Sequence, residues 1–406
     1  MNILMISLGT DITLGKGERT IKRHITYAKY SKVNIYMILL SPIKNQNYQK
    51  EIIKNNTLYI YPVVCKNHFL LILRGLIKTL LLCSKINVNM IYSQDPFGTA
   101  IIANVARKIF RIPLLIGNHS SFANNPIWLA EKPLYFSLLK IIMRINLPLA
   151  DAWRVNNKKE KDNYIKYYGI DSNRIIVNHT LVNSETFSKS FDSDSINKLK
   201  LKISTDPSTK LLIWAGRPVK FKRIDLLLET FAEVLKTKSN TKLILIGEFS
   251  QSYLFKKLLQ NFDKKYKEKI FIVSKGANHK LLAKFYKVAD IYVHTSAYEG
   301  FGVVLSEAAL SGLPIVCTAS DGAEENVEDG KSGYIVKSSS SKELSKKIIK
   351  LLNDDELRFN MSNYAKRRAL KKYNPKNNLY IRDKLWKNII KNGINSRKSL
   401  LENRNN

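Results

Sequence analysis

The chain has 406 residues, too many for one ordinary hydrophobic core, and 45% of them are hydrophobic, enough to fill two domains of similar size. Its 67 lysines and arginines against 33 acidic residues leave a net charge of +34, which points to something anionic: nucleic acid, the anionic inner leaflet of a membrane, or phosphorylated substrates. Cys65, Cys83 and Cys317 stand singly in apolar runs, which excludes a cysteine metal spacing and suits small core residues in a reducing compartment. Along the chain, residues 1–8 have neither a basic start nor a long apolar stretch with a cleavage site, so they read as a first β-strand and the protein is expected in the cytoplasm. Further strands are expected at 34–40, 58–64, 90–93, 114–118, 152–156 and 174–178, separated by helical or basic connectors, and this alternation implies parallel sheet. Between them, 68–85 is an apolar helix whose Arg74, Lys78 and Lys85 fall on one stripe at about 100° per residue. The stretch 134–149, with Lys140 and Arg144, has the same character. Both segments fit two readings, helices lying at an anionic lipid surface or ordinary helices packed on a sheet with solvated cations.

A polar run at 188–195 reads as a linker, and the Asp192-Ser193-Asp194 triplet within it reads as a helix cap, not as a metal-binding pair, because it does not end an apolar strand. A second alternating series follows, with strands at 210–214, 242–246, 270–273, 291–294 and 314–318. Arg217 comes directly after the first of these, where ligands gather in open α/β sheets, and Lys222 adds a second cation from the same loop. Glu299 lies in the turn Gly300-Phe301-Gly302 after the 291–294 strand, and Glu307 lies in the helix that the turn opens, which is expected to stop near Ser311-Gly312. Taken alone these carboxylates support two readings. They accept hydrogen bonds from sugar hydroxyls beside a phosphate-holding turn, or Glu299 caps the helix and Glu307 is solvated. Residues 376–394 form a last helix, and 395–406 are polar enough to be disordered. No helix-turn-helix, zinc finger or aromatic single-strand platform occurs at a recognisable spacing, so nucleic acid is not expected as a partner and part of the charge is explicable by biased composition.

Ser296, Glu299, Gly300, Phe301, Gly302, Glu307 and Ala308 match every fixed position of the Ser-x-x-Glu-Gly-Phe-Gly-x-x-x-x-Glu-Ala signature, and the chain thereby resembles the retaining glycosyltransferases of family 4. The resemblance extends from about residue 211 to 336, with Arg223 where the family has glycine and Glu324 where it has proline, and is thin over the first half. It implies the GT-B architecture, two Rossmann-like α/β domains facing a central cleft: an acceptor-binding domain at 1–190, a nucleotide-sugar-binding domain at 205–375, and a helix at 376–394 crossing back to the first domain. It implies transfer of a sugar from a nucleotide diphosphate donor, a UDP- or GDP-sugar, to a saccharide or lipid-linked acceptor, with retention and with neither metal nor cofactor. By the same resemblance Arg217 and Lys222 form the diphosphate-binding pair, Glu307 takes the ribose, Glu299 orients the donor sugar, and Gly276 meets the nucleobase. Gly15 and Gly17 correspond to the glycine-rich first loop, which also reads as a simple turn, and His119 sits where the family carries a cleft histidine, though a structural or solvated histidine remains open. Surface polysaccharide or glycolipid synthesis is the expected setting, with peripheral attachment to the inner face of the membrane. Two rivals remain: a nucleotide-sugar epimerase of the same architecture and a non-enzymatic polyanion-binding protein.

Overall fold

The computed structural model describes residues 1–9, 12, 17–42, 52–54, 56–123, 125–250 and 252–402, with side chains except at 52–54 and 394–402. The chain divides into two units, Met1–Leu181 with Lys376–Asn406, and Val182–Pro375. Each is built on a twisted, predominantly parallel sheet of short, apolar strands covered by helices on both faces, the two-sided burial that parallel sheets require.

The first sheet comprises β1 (Asn2–Leu8), β2 (Asn34–Ser41), β3 (Ile52–Lys54), β4 (Leu58–Val64), β5 (Met90–Ser93), β6 (Leu114–Gly117), β7 (Ala152–Val155) and β8 (Ile175–Val177). Their order is β3-β4-β2-β1-β5-β6-β7-β8. All pairs are parallel except β3 with β4. The antiparallel β3 was not expected from the sequence, because three residues carry too little periodicity to register. The second sheet comprises β9 (Lys210–Ala215), β10 (Thr241–Ile246), β11 (Ile270–Val273), β12 (Ile291–His294), β13 (Ile315–Thr318) and β14 (Gly333–Val336), ordered β11-β10-β9-β12-β13-β14. β14 also escaped the sequence reading. It opens at Gly333, φ 154°, where a Cβ would lie 2.0 Å from the Ile315 carbonyl oxygen, so only glycine lets this edge strand close on β13. In both sheets the strand order reverses beside the first strand, at β1/β5 and at β9/β12, which creates the crevice where ligands of open α/β sheets bind.

The apolar runs at 68–85 and 134–149 fold as helices, His68–Lys85 and Pro133–Asn146, the latter followed by a 3₁₀ turn at Leu147–Leu149. Asn67 starts the first by accepting the Leu70 N–H at 3.1 Å. Its Leu71, Gly75, Thr79, Leu82 and Cys83 are buried. The polar run after Phe187 is not a connector between units, since the division falls at Leu181/Val182 and the run leads into the Ser193–Ile203 helix. Asp192 caps that helix through its contact with the Ser195 N–H at 2.9 Å, as its composition implies.

The final helix departs from expectation. It runs Pro375–Glu402, so residues 395–402 are helical and not disordered, while 403–406 lie outside the described residues. Leu379, Arg382, Leu385, Trp386, Ile389 and Ile390 form a buried stripe at helical spacing, packed in one core with Met5, Tyr27 and Tyr92 of the first unit. Reciprocal bonds, Asn178 Nδ2 to the Asn378 carbonyl at 3.1 Å and Asn378 Nδ2 to the His179 carbonyl at 2.8 Å, fix its start. Local polarity in the last residues was outweighed by propagation from this packed segment.

Candidate active site

The loop after β9 and the loop after β12 emerge side by side at the switch point of the second sheet. Ala297 N–H donates to the Phe221 carbonyl at 2.8 Å, Thr295 Oγ1 donates to the Lys222 carbonyl at 2.9 Å, and the Phe221 and Tyr298 rings stack at 4.7 Å. These contacts hold the two loops together. Within this frame Lys222 Nζ pairs with Glu299 Oε2. The lysine is almost buried and the glutamate side chain keeps 20% of its surface exposed. Beneath them, His294 at the end of β12 is buried, and its Nε2 lies 3.8 Å from Glu299 Oε2. Burial first, and the Lys222 charge second, hold the His294 imidazole well below its ordinary range, so it is neutral.

Arg217 lies in the same loop as Lys222 but is exposed, and its side chain forms no hydrogen bond or ion pair with the described residues. Arg223, at the position of the family's glycine, adopts φ 49°, ψ 52° and holds Asp225 at 2.8 Å, so it does not face the Glu299 pair as a free cation.

Gly302 sits at φ 73°, ψ 61° and starts the Val303–Leu310 helix, which no side chain caps. A Cβ there would fall 2.6 Å from Leu305 Cδ1, which makes the glycine structural to the turn. Gly300 and Phe301 are buried, and the Phe301 carbonyl accepts from Asn326 Nδ2 at 2.5 Å. Gly322 abuts the loop so closely that an added Cβ would lie 2.8 Å from Glu299 Cγ, while its N–H donates to the Glu299 carbonyl at 2.6 Å. Glu299 therefore does not serve as the helix cap. Glu307 is only 2% exposed, with Oε1 3.6 Å from His279 Nε2, which overturns its reading as a solvated helix residue. Gly276, at φ 68°, lies just beyond β11, and its N–H donates to the Gly247 carbonyl at 3.1 Å.

In the first unit, His119 follows β6 and bridges Gln94 Oε1, 2.9 Å from Nε2, and Arg154 Nη1, 3.0 Å from Nδ1. Because the guanidinium can only donate, Nδ1 accepts and Nε2 carries the proton. The residue keeps an exposed surface, but crowding around its ring, then the charges of Arg154, Arg23 and Arg382, lower this imidazole below its usual range. Gly17 caps the Glu18–Ser31 helix at a place where a Cβ would strike the Ile12 side chain at 2.3 Å, so close chain packing accounts for it. Gly15 lies outside the described residues. The structure thus joins Lys222 with Glu299 and sets Glu307 on the helix opened by Gly302, while His119 belongs to a different cluster. His294 and Asn326 were missed, since a buried histidine ending a strand and an asparagine bracing a carbonyl resemble ordinary core and turn residues in sequence.

Residues 29–186 match the family model described as Glycosyltransferase Family 4, and residues 195–368 match that described as Glycosyl transferases group 1. The chain is 25% identical over 381 residues to the capsular polysaccharide biosynthesis glycosyltransferase CapM of Staphylococcus aureus, covering 89% of this chain and 92% of that protein. It is 23% identical over 286 residues to the alpha-monoglucosyldiacylglycerol synthase of Acholeplasma laidlawii, covering 69% and 71%. The crystal structure of Anabaena HepE in complex with UDP and glucose superposes with a TM-score of 0.72 at 18% identity, covering 94% of this chain and 97% of that one.

Proposed function

For a chain that is a glycosyltransferase of the GT-B architecture, with its first half in Family 4 and its second in group 1, we propose transfer of a sugar from a nucleoside diphosphate to an acceptor hydroxyl with retained configuration. The observation that carries this reading is the Lys222–Glu299 pair, held by two interlocked loops at the sheet's switch point beside an uncapped helix start. Lys222 and the unpaired Arg217 neutralise the departing diphosphate in place of a metal, and the backbone of Gly300, Phe301 and Gly302 approaches it. Glu299 exchanges its lysine partner for donor-sugar hydroxyls, Glu307 accepts from the ribose, and the backbone at Gly276 meets the base. His119, neutral with its Nε2 proton on Gln94, serves the acceptor side from the first unit. Chemistry of this kind relies on positioning and electrostatics.

The acceptor class proposed is a surface polysaccharide or glycolipid precursor, in keeping with the names of CapM and the diacylglycerol enzyme. UDP is the first donor nucleotide to test, since HepE binds it, and GDP the second. Assays of nucleoside diphosphate release from UDP-, GDP- and ADP-sugars, with acceptor-bearing membrane extract, test the whole reading. Release from one donor should depend on acceptor and disappear in Arg217→Ala and Glu307→Ala. Sugar conversion without nucleotide release would instead establish an epimerase, and a folded protein binding no donor would sink the enzymatic reading.

No helix among the described residues is long and apolar enough to cross a membrane. Attachment to an anionic leaflet is proposed on a different feature. The His68–Lys85, Gly98–Phe110 and Pro133–Asn146 helices are neighbours and turn apolar residues outward: Leu73, Ile77 and Leu81, Ile109, and Leu138, Ile141 and Ile145. Outward apolar residues of this kind, with Arg74, Lys78 and Arg144 on the same helices, suit lipid headgroups and acyl chains together. Flotation with anionic vesicles should be lost in Arg74→Glu/Lys78→Glu and in Ile141→Ser/Ile145→Ser, and unaltered flotation in both would dispose of the idea.

A further inference from the structure

On the first sheet, away from the Lys222–Glu299 pair in sequence and in fold unit, three arginines converge with no acid among them. Arg23 comes from the Glu18–Ser31 helix, Arg154 from β7 and Arg382 from the final helix. They line one narrow pocket with His24, Gln94 and His119, and no carboxylate among the described residues lines it. Arg154 and Arg382 are 1% and 4% exposed. The bonds of Arg154 all go to neutral groups: the Asn178 carbonyl at 2.7 Å, Asn156 Oδ1 at 2.6 Å and His119 Nδ1 at 3.0 Å. Arg382 lies over the Tyr27 ring at 4.1 Å, and its buried Nε–H has no hydrogen-bond partner.

Buried guanidinium groups are ordinarily paired, because an isolated charge removed from water is costly. Here the expected counter-charge is missing among the described residues. The consequences reach the neighbours. Burial and adjacent cations push Arg154 down to about 10 and His24 to about 3. Burial alone would push the Tyr27 phenol up, yet the charges of Arg382, Arg23 and Arg154 hold it below its usual value. All three arginines, together with an unsatisfied donor, describe a preformed place for an oxyanion.

We propose that this pocket binds a phosphoryl group, the anionic end of the acceptor. The assignment of that group to the acceptor rests on the transferase reading above; the phosphate site itself does not. A phosphomonoester dianion matches the fork-shaped donors and the positive surplus better than a carboxylate, which brings one charge. The enclosed part is only wide enough for a water-sized group, so the sugar stays outside and a single phosphoryl group seats at the mouth.

The test uses the full chain saturated with UDP, so that the diphosphate site is filled, and titrates inorganic phosphate at constant ionic strength while following the thermal midpoint and the binding heat. Phosphate should bind and raise the midpoint. Arg23→Gln, Arg154→Gln and Arg382→Gln should weaken it at least about tenfold. Arg23 is half-exposed, so Arg23→Gln keeps the fold; it should also raise the phosphate-free midpoint by relieving repulsion, which loss of a structural contact would not do. Glycerol 3-phosphate against phosphatidic acid vesicles then separates a soluble acceptor phosphate from a lipid one. Phosphate acting no better than chloride, or equally on wild type and Arg23→Gln, would overturn the proposal. Failure of the transferase reading shows separately, as absent UDP binding.

Discussion

Replacing Lys222 with methionine removes one charge from the best-defined ion pair of the second unit while keeping most of the side chain's bulk. Unit charges in contact attract by about 4 kcal/mol at an effective dielectric of about 20, most of which is offset by their removal from water. With the lysine gone, Glu299 is left four-fifths shielded and without a counter-charge, and we expect a stability loss of about 1–3 kcal/mol in urea unfolding. Activity should suffer more. If Lys222 stabilises the leaving diphosphate, turnover falls about 10²–10³-fold, or roughly 2.7–4 kcal/mol. The discriminating comparison is UDP affinity by calorimetry in Lys222→Met and Glu299→Gln. The first should weaken UDP binding. The second releases Lys222 from its partner and should leave UDP binding equal or a few-fold tighter while sugar transfer collapses. Undiminished UDP affinity and turnover in Lys222→Met would refute the reasoning.

His24 and His294 are buried and held neutral, so the folded protein excludes protons that the unfolded chain takes up near pH 6.5. Their stabilisation is present above that pH and is lost as pH falls, by up to about 2 kcal/mol each at pH 5; urea midpoints at pH 7 and 5 should show the drop, and His294→Gln should lessen it. Gly322→Ala places a methyl group against Glu299 Cγ and the Glu299 carbonyl, and donor affinity should fall at least about tenfold with little change in far-ultraviolet circular dichroism. Arg223→Gly relieves a left-handed residue of about 1 kcal/mol but forfeits the Asp225 contact and loosens the unfolded chain, so its melting temperature should hardly move, whereas Arg223→Val should destabilise by about 1–2 kcal/mol.

The alternation of apolar strands and amphipathic helices was legible because parallel strands buried on both faces are continuous apolar runs; β4 and β11 lie at the residues the sequence indicates. β3 and β14 were hidden by shortness and by a glycine start. In the candidate site, the turn around Gly302 announces itself through residues that tolerate only one backbone geometry. Lys222 and Glu299 could be nominated separately, but their pairing depends on two loops meeting at a sheet reversal. Arg154 was least legible. Within Ala-Trp-Arg-Val it resembles an interruption of a strand, and its relation to Arg23 and Arg382 exists only once the last helix has docked.

That docking orders events during synthesis. The surface formed by Met5, Tyr27 and Tyr92 is made early, yet the residues that cover it, Leu385, Trp386 and Ile389, leave the ribosome after the whole second unit. The first unit must therefore wait, with an uncovered apolar strip and an unfinished arginine cluster, until residues 376–390 have been made. A premature stop anywhere in Val182–Pro375 leaves not one sound domain and one damaged one but a first unit without its closing segment, a natural substrate for chaperones and proteases.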